Sequence, residues 1–439
     1  MTHKSVYIAI STDVLHGGHL NVVEQGAKLG DVTIGLLTDE AIATYKRPPI
    51  LDFDTRRALL ASMRDVHEVV AQETLSYADN LRRLKPDYVV HGDDWTTGAQ
   101  ATIRSEVIDI LSGYGGELVE VPYTKGVSGT DLEALLRPAM NTTEMRRAKL
   151  RKLLKLKPWL RAMEASNGLS ALIVENVKVD ATGADADHMA VREYDAMWVS
   201  SLCDSTFKGK PDIELVDLTS RLRTIHDIME VSTKPIIVDG DTGGRIEHFV
   251  HTVRTLERVG VSAVIVEDKT GLKQNSLFGT DAVQTLDDPH EFAAKINAGK
   301  QAQTTDDFMI IARLESLIAG VGIDDALMRA KIYIEEGGAD GIMVHSRHKD
   351  GAEIKEFLAR FRAEWPDIPV VLVPTSYNHI PESELADLGA NIVIHANHLL
   401  RSAYPAMYDT ALKILQNGRS KEVDDQIMSI KEVLRLIPE

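Results

Sequence analysis

Thiol chemistry is almost absent from this chain: Cys203 is its one cysteine, and a single cysteine cannot close an intrachain disulfide. Long apolar runs are missing too. No window of the sequence approaches the roughly 18 consecutive apolar residues that a membrane-spanning helix needs, and the opening MTHKSVYIAI lacks the apolar core of a signal peptide. Positive charge is in deficit, with 49 Lys and Arg against 66 Asp and Glu for a net charge of −17. A field of that sign repels nucleic acid unless a local basic surface reverses it. The densest basic stretch, Arg146 to Arg161, has an apolar face of its own. These absences lead us to expect a soluble protein of a reducing cytoplasm, with neither nucleic acid nor membrane as partner.

What is present is ordinary for globular cores, at 44% hydrophobic and 26% charged residues, which excludes disordered and collagen-like classes. The 439 residues exceed even a complete (β/α)8 barrel of about 250 residues, so two α/β domains are expected. In the first, residues 1–138, short apolar runs (Val6–Ser11, Val32–Leu37, Tyr88–Val90) alternate with amphipathic helices (Leu20–Leu29, Thr55–Ser62), the pattern of a parallel sheet. Residues 139–158 read as a linker helix whose apolar side docks on a neighbour. In the second, residues 159–439, eight strand candidates recur: Ala171–Val174, Ala196–Val199, Pro235–Val238, Ala263–Val266, Met309–Ala312, Gly341–Val344, Val370–Val373 and Ile392–Ile394. Eight is the number a closed barrel needs.

Polar residues follow these strands directly, where a barrel gathers side chains on substrate. Asp239, Asp241 and Glu267 form a carboxylate cluster suited to Mg²⁺, a hard cation that takes oxygen ligands and keeps several waters; carboxylates at strand ends also cap helices. Arg313 and His345 offer a donor fork and an imidazole for a phosphate or carboxylate. Between Gly271 and Gly279 a polar segment carries Lys273, Asn275 and Ser276, able to close over the site and exclude water.

The segment Glu267 to Ser276, EDKTGLKQNS, resembles the signature loop of phosphoenolpyruvate mutase. The similarity extends over about residues 160 to 405 through MEASNGLSALIVE, SSL, DGDTGG, IARLES, MVHS, VPT and ANHLLR. The cysteine loop of the related isocitrate-lyase-type enzymes is missing, which disfavours carbon–carbon lyase chemistry. The resemblance implies interconversion of phosphoenolpyruvate and phosphonopyruvate by moving a phosphoryl group within one bound substrate. It further implies Mg²⁺ at Asp239, Asp241 and Glu267, and backbone donors from Ser200, Ser201 and Leu202 to the substrate carboxylate. Arg313, His345 and Asn275 would sit at the phosphoryl group, Lys273 and Ser276 in the closed loop, and Asp212 at the family's catalytic aspartate. Ser201 replaces a common glycine. Phosphonopyruvate hydrolase, which shares this substrate and metal, remains the alternative for the barrel.

In the first domain His16-Gly17-Gly18-His19 opens a helix after a strand, where imidazoles and close backbone approach suit phosphates. With the segment His91-Gly92-Asp93-Asp94-Trp95 and the stretch Gly126 to Thr130, it resembles the HxGH cytidylyltransferases. That resemblance implies a Rossmann-like domain in which His16 and His19 stabilise the α-phosphate of CTP while pyrophosphate leaves. It implies also that Lys46 lies near acceptor and phosphates, and that Gly18, Gly92, Asp94, Gly126, Ser128 and Thr130 contact the nucleotide. The family's arginine before the last segment is Tyr123 here.

Such a fusion is similar to the bifunctional type found in fosfomycin biosynthesis, in which the second activity attaches CMP to 2-hydroxyethylphosphonate. Small-molecule substrates and a homo-oligomer, dimer or tetramer, are the implied partners. A nucleotide-binding regulator without turnover is the non-enzymatic alternative.

Overall fold

The computed structural model describes residues 4–11, 14–95, 99–122, 132, 136, 141–180, 191–271 and 285–437. Its first half is a five-stranded parallel sheet in the order β3-β2-β1-β4-β5, built from β1 Ser5–Ile10, β2 Asp31–Leu37, β3 Glu68–Gln72, β4 Tyr88–Gly92 and β5 Glu117–Val121. Helices α1 Gly17–Ala27, α2 Asp39–Ala43, α3 Phe53–Ala61, α4 Ala78–Leu84 and α5 Ala99–Ser112 connect them. Helices cover both faces, so β1 buries both of its faces: Val6, Ile8 and Ile10 pack with Val23 and Leu36, while Tyr7 packs with Leu81, Trp95 and Leu111. Chain order reverses between β1 and β4. Ligands in such open sheets collect at that switch point, beyond the carboxyl ends of the strands.

Strands β3 and β5 escape a reading of apolar runs because they are the sheet's edges. EVVAQ and ELVEV interleave charge with valine and stay partly exposed, as edge strands do.

The second half is a closed barrel of eight parallel strands: β6 Leu160–Glu164, β9 Ala196–Val199, β10 Ile236–Asp239, β11 Ala263–Glu267, β12 Met309–Leu314, β13 Gly341–Val344, β14 Val370–Leu372 and β15 Ile392–His395. A small antiparallel pair, β7 Lys178–Asp180 and β8 Val191–Glu193, stands outside it.

One expected strand is a helix. Ala171–Val174 belongs to α7, Gly168–Asn176, whose N-cap Asn167 accepts the Ser170 N–H at 2.8 Å. Its apolar run serves helical spacing: Ala171 and Val174 are buried, whereas Leu169 and Ile173 are exposed. The true first strand, LRAME, was masked by charges that are satisfied once folded. Arg161 donates to Glu382 at 2.8 Å, and Glu164 accepts the Leu400 N–H at 2.7 Å.

Before the barrel, α6 Thr143–Leu156 closes its amino end. Leu150 and Leu153 pack with Ile237, Ala263 and Met309 inside. Arg146 donates to Ser232 O at 2.9 Å, Arg147 to Glu257 O at 3.4 Å and Lys149 to Thr233 O at 2.6 Å. The basic stretch thus satisfies main-chain carbonyls around the strand starts, which explains positive charge unrelated to nucleic acid. Among the described residues no helix is long and apolar enough to cross a membrane.

Outside β10 and β11 run α10 Ile246–Val259 and α11 Pro289–Ala302. Phe249 on α10 is fully buried, and a Cβ on Gly299 of α11 would come within 2.5 Å of its ring. Close packing of this kind leaves no room for collapse after truncation. Phe249→Ala should cost about 3–5 kcal/mol, read as a lowered urea midpoint for the barrel.

Candidate active sites

A parallel barrel delivers every strand's carboxyl end to one rim. There Ser200, Ser201, Leu202, Asp212, Asp239, Glu267, Arg313 and His345 line a single cavity of about 60 Å³. Ser200 caps α8 Ser201–Phe207, accepting the Cys203 N–H at 3.4 Å. Ser201 gives both its N–H (3.2 Å) and its hydroxyl (2.9 Å) to one Asp239 oxygen, and the Asp241 N–H reaches the other at 3.2 Å. Four residues of chain from Asp239 to Thr242 turn tightly here. A Cβ on Gly240 would fall 2.7 Å from Val264, and Asp241 takes φ of 53°.

The three consecutive residues Glu267, Asp268 and Lys269 divide by the alternation of an extended strand. Glu267 and Lys269 turn to the rim, 3.4 Å apart. Asp268 turns outward into the helical layer, accepting from Tyr333 Oη at 2.7 Å and Glu315 N–H at 2.8 Å. Burial pushes its carboxyl up to about 6 against those donors.

Arg313 stands 3.4 Å from Glu267 and 2.5 Å from Glu315. Burial opposes its charge, but Glu315, Glu267 and Asp239 outweigh burial and hold the guanidinium well above its ordinary value. The reverse holds for His345: burial, then Arg313, lowers its imidazole to about 4. It is a neutral ring at physiological pH.

Of the three expected metal carboxylates, Asp239 and Glu267 share the cavity. Asp241 instead lines a neighbouring one of about 150 Å³ and pairs with Arg221 at 3.1 Å. Among the described residues no group of three or more His, Cys, Asp and Glu gathers as a metal cage. Two buried carboxylates beside a hydroxyl still fit a hard divalent ion, which is commonly held by one or two carboxylates plus water and substrate. Lys273, Asn275 and Ser276 lie outside the described residues. The stem of their segment is paired, Thr270 N–H to Thr285 O at 3.0 Å and Asp287 N–H to Asp268 O at 2.9 Å.

Motif reading missed the residues that act behind the rim. Arg221, on α9 Leu218–Val231, donates to Asp239 O at 2.5 Å as well as pairing with Asp241. Its sole sequence signal is an arginine in an otherwise ordinary amphipathic helix. Glu315 was visible inside IARLES without a partner to give it a role.

At the switch point of the first domain His16 caps α1. Its Nδ1 accepts the Gly18 N–H at 3.1 Å, and His19 Nδ1 accepts the His16 N–H at 3.4 Å. Both acceptor nitrogens are therefore unprotonated, so each neutral ring carries its proton on Nε2. The rings lie 3.9 Å apart. Burial, then His16 and Lys46, lowers His19 to about 4, and burial lowers His16. A Cβ on Gly17 would meet no atom within 4 Å, so packing inside the chain does not demand a glycine there.

At the end of β4 the His91 ring stacks on Trp95 at 3.8 Å. Trp95 is buried and donates to Glu120 at 2.8 Å, which Arg104 also holds. Gly92 ends β4, and Asp94 lies in the 3-10 turn Asp93–Trp95. The side chain of Asp94, and Gly126, Ser128 and Thr130, fall outside the described residues.

A family model described as phosphoenolpyruvate phosphomutase matches residues 150–415. The chain belongs to this family. A cytidylyltransferase-like model matches residues 11–148, so the mutase-family barrel is joined to a cytidylyltransferase-like domain. The phosphoenolpyruvate phosphomutase of Tetrahymena pyriformis is 37% identical over 276 residues, 62% of this chain and 85% of that protein. A phosphonopyruvate hydrolase of Variovorax sp. is 37% identical over 246 residues, covering 55% and 83%. A solved phosphonopyruvate hydrolase in complex with oxalate and Mg²⁺ superposes with a TM-score of 0.56 at 33% identity, over 66% of this chain and 94% of that one.

His19 gives the first domain a definite pH dependence. Above about 6.5 the ring is neutral whether the domain is folded or not. Between there and about 4 the unfolded chain binds a proton that the folded site refuses, so stability falls as pH falls. Thermal melts at pH 7 and pH 5 should show a steeper loss in the wild type than in His19→Gln; equal losses would contradict the assignment.

Proposed function

We propose that the protein is a bifunctional enzyme of phosphonate biosynthesis, interconverting phosphoenolpyruvate and phosphonopyruvate at the barrel rim and transferring CMP from CTP to a phosphonate in the first domain. The observation that carries the first activity is the meeting of Arg313 and a neutral His345 with Asp239 and Glu267 around one small cavity. That arrangement opposes donors for a phosphoryl group to acceptors for a divalent cation.

Asp239 and Glu267 would hold Mg²⁺, with Asp241 near, and the bound ion would neutralise charge on the substrate's enolate and carboxylate. The Mg²⁺ in the solved hydrolase complex supports that choice. The segment Ser200 to Leu202 lies where it can orient the substrate carboxylate. As the phosphorus leaves the enol oxygen and bonds to carbon, Arg313, His345 and Asn275 would bind its equatorial oxygens, and Lys273 and Ser276 would secure the loop against water. Positioning and charge stabilisation are what such a loose transfer requires. His345, neutral, serves as a hydrogen-bonding group rather than as a cation. Asp212, on the cavity wall, is the remaining candidate for contact with the migrating group.

Equal identity to a phosphonopyruvate hydrolase supports a second reading of the barrel, in which water takes the phosphoryl group and pyruvate leaves. The two differ in whether the cavity admits water.

In the first domain the Nε2–H groups of His16 and His19 would bind the α-phosphate of CTP, with Lys46 beside them. An acceptor oxygen attacks the α-phosphorus and the bond to the β-phosphate breaks, releasing pyrophosphate. Gly18, Gly92, Asp94, Gly126, Ser128 and Thr130 would line the nucleotide. The barrel's product class supports a phosphonate acceptor, with 2-hydroxyethylphosphonate our choice. The long helix His398–Asn417 buries no residue and exposes Tyr404, Met407 and Leu415, which supports a homo-oligomer.

Pyrophosphate release from CTP with 2-hydroxyethylphosphonate tests the second activity. His19→Ala should lower that rate by about 10²–10³-fold, as loss of a preorganised donor does, and spare the barrel; Asp239→Ala should do the opposite. Loss of both activities from either change would refute independent sites, and CTP binding without release would favour a regulator.

A further inference from the structure

The stretch Tyr45-Lys46-Arg47-Pro48-Pro49 joins α2 to α3 beside the HxGH helix. Lys46 lies close enough to His19 to depress its imidazole. The next residue goes the other way. Arg47 leaves its own domain and enters the amino-terminal end of the barrel, where its fork is fully engaged. Nε bonds both Glu193 oxygens at 3.0 Å and Nη2 one of them at 2.8 Å; Nη1 bonds Glu175 at 2.7 Å and Thr233 Oγ1 at 3.2 Å; Nη2 also bonds Glu175 O at 2.9 Å. Lys234 donates to Glu193 at 3.0 Å. Two cations and two carboxylates therefore balance, with side chains of Arg47, Glu175 and Glu193 exposed by only 21%, 11% and 12%.

Two features make this an anchor for the segment rather than an incidental ion pair. A bidentate guanidinium fixes orientation as well as distance, which a lysine cannot do. A second tie lies two residues on, where Lys152 of α6 donates to Pro49 O at 3.1 Å, and the Pro48-Pro49 pair restricts the backbone between them. The other end is held by α2, whose Ile42 carbonyl accepts the Lys46 N–H at 3.0 Å. Lys46 is thus carried on a short span pinned on both sides, and one of the pins belongs to the barrel.

We propose that Arg47 is a positioning residue for nucleotidyl transfer: seated on Glu175 and Glu193 of the barrel, it sets the place of Lys46 at the HxGH site, so that the barrel's base completes the nucleotidyltransferase. This rests on the nucleotidyltransferase reading of the first domain. The barrel's own rim lies at the opposite end of its strands, since Thr233 and Glu193 precede β10 and β9 whereas Asp239 ends β10. A charge change on the barrel's base should therefore damage the first domain's reaction and leave the barrel's reaction alone.

The test uses the full chain with Arg47→Gln, Arg47→Lys and Glu193→Gln, each assayed for pyrophosphate release from CTP and 2-hydroxyethylphosphonate and for turnover of phosphonopyruvate, with hydrogen exchange followed over residues 44–50. Arg47→Gln and Glu193→Gln should each lower kcat/KM for nucleotidyl transfer by about ten-fold or more, equivalent to about 1.4 kcal/mol, and speed exchange over 44–50. Phosphonopyruvate turnover should stay within about two-fold, and Arg47→Lys should recover part of the loss. Nucleotidyl transfer within about two-fold of wild type in either glutamine variant overturns the proposal. So does a loss with exchange unchanged, or a loss shared equally by both activities. A wild-type protein that releases no pyrophosphate would instead overturn the underlying nucleotidyltransferase reading.

Discussion

Arg313 carries a permanent charge at the rim of a barrel that buries it, and a buried charge persists only if it is paired. The constraint organises everything around it. Glu267 and Glu315 come from the ends of β11 and β12 to compensate it, Lys269 joins both carboxylates, and His345 is held neutral beside it. Behind them Arg221 plays the matching part for Asp239 and Asp241. The result is a lattice of charges already paired within the chain, the kind of preorganisation that charge-shifting chemistry requires.

The first domain reaches a comparable end with dipoles instead of charges. Its two histidines are fixed in one tautomer by backbone N–H groups at a helix start, so each ring keeps its proton on Nε2. Such a site suits a phosphate that is already anionic. Arg47 and Lys152 tie this half to the base of the barrel, while the barrel's cavity opens at the far rim. The tie and the barrel's cavity thus lie at opposite ends of the strands, an arrangement that favours independent chemistries over the passing of an intermediate between the halves.

Much of this was legible in the chain because signals at different scales agreed. Seven barrel strands show as apolar runs, and the residues that end them are those that meet at the rim. Where the reading failed, tertiary pairing had changed the meaning of local composition. LRAME looked unlike a strand because Arg161 and Glu164 find partners more than 200 positions away, and Ala171–Val174 looked like one because a helix packed on a barrel is also apolar. Asp241 stood beside Asp239 in sequence, yet a left-handed backbone turn directs it to Arg221. No motif announces Arg47, whose partners are Glu175 and Glu193 in the other domain.

The central claim is that the rim moves a phosphoryl group within one substrate and keeps water from it. Phosphorus NMR of the full-length protein with phosphonopyruvate and Mg²⁺ tests this directly, because the carbon-bound and oxygen-bound phosphorus and free phosphate resonate apart. The account predicts that the phosphoenolpyruvate signal grows as phosphonopyruvate falls, with no matching rise in inorganic phosphate. Inorganic phosphate appearing in step with substrate loss would contradict it.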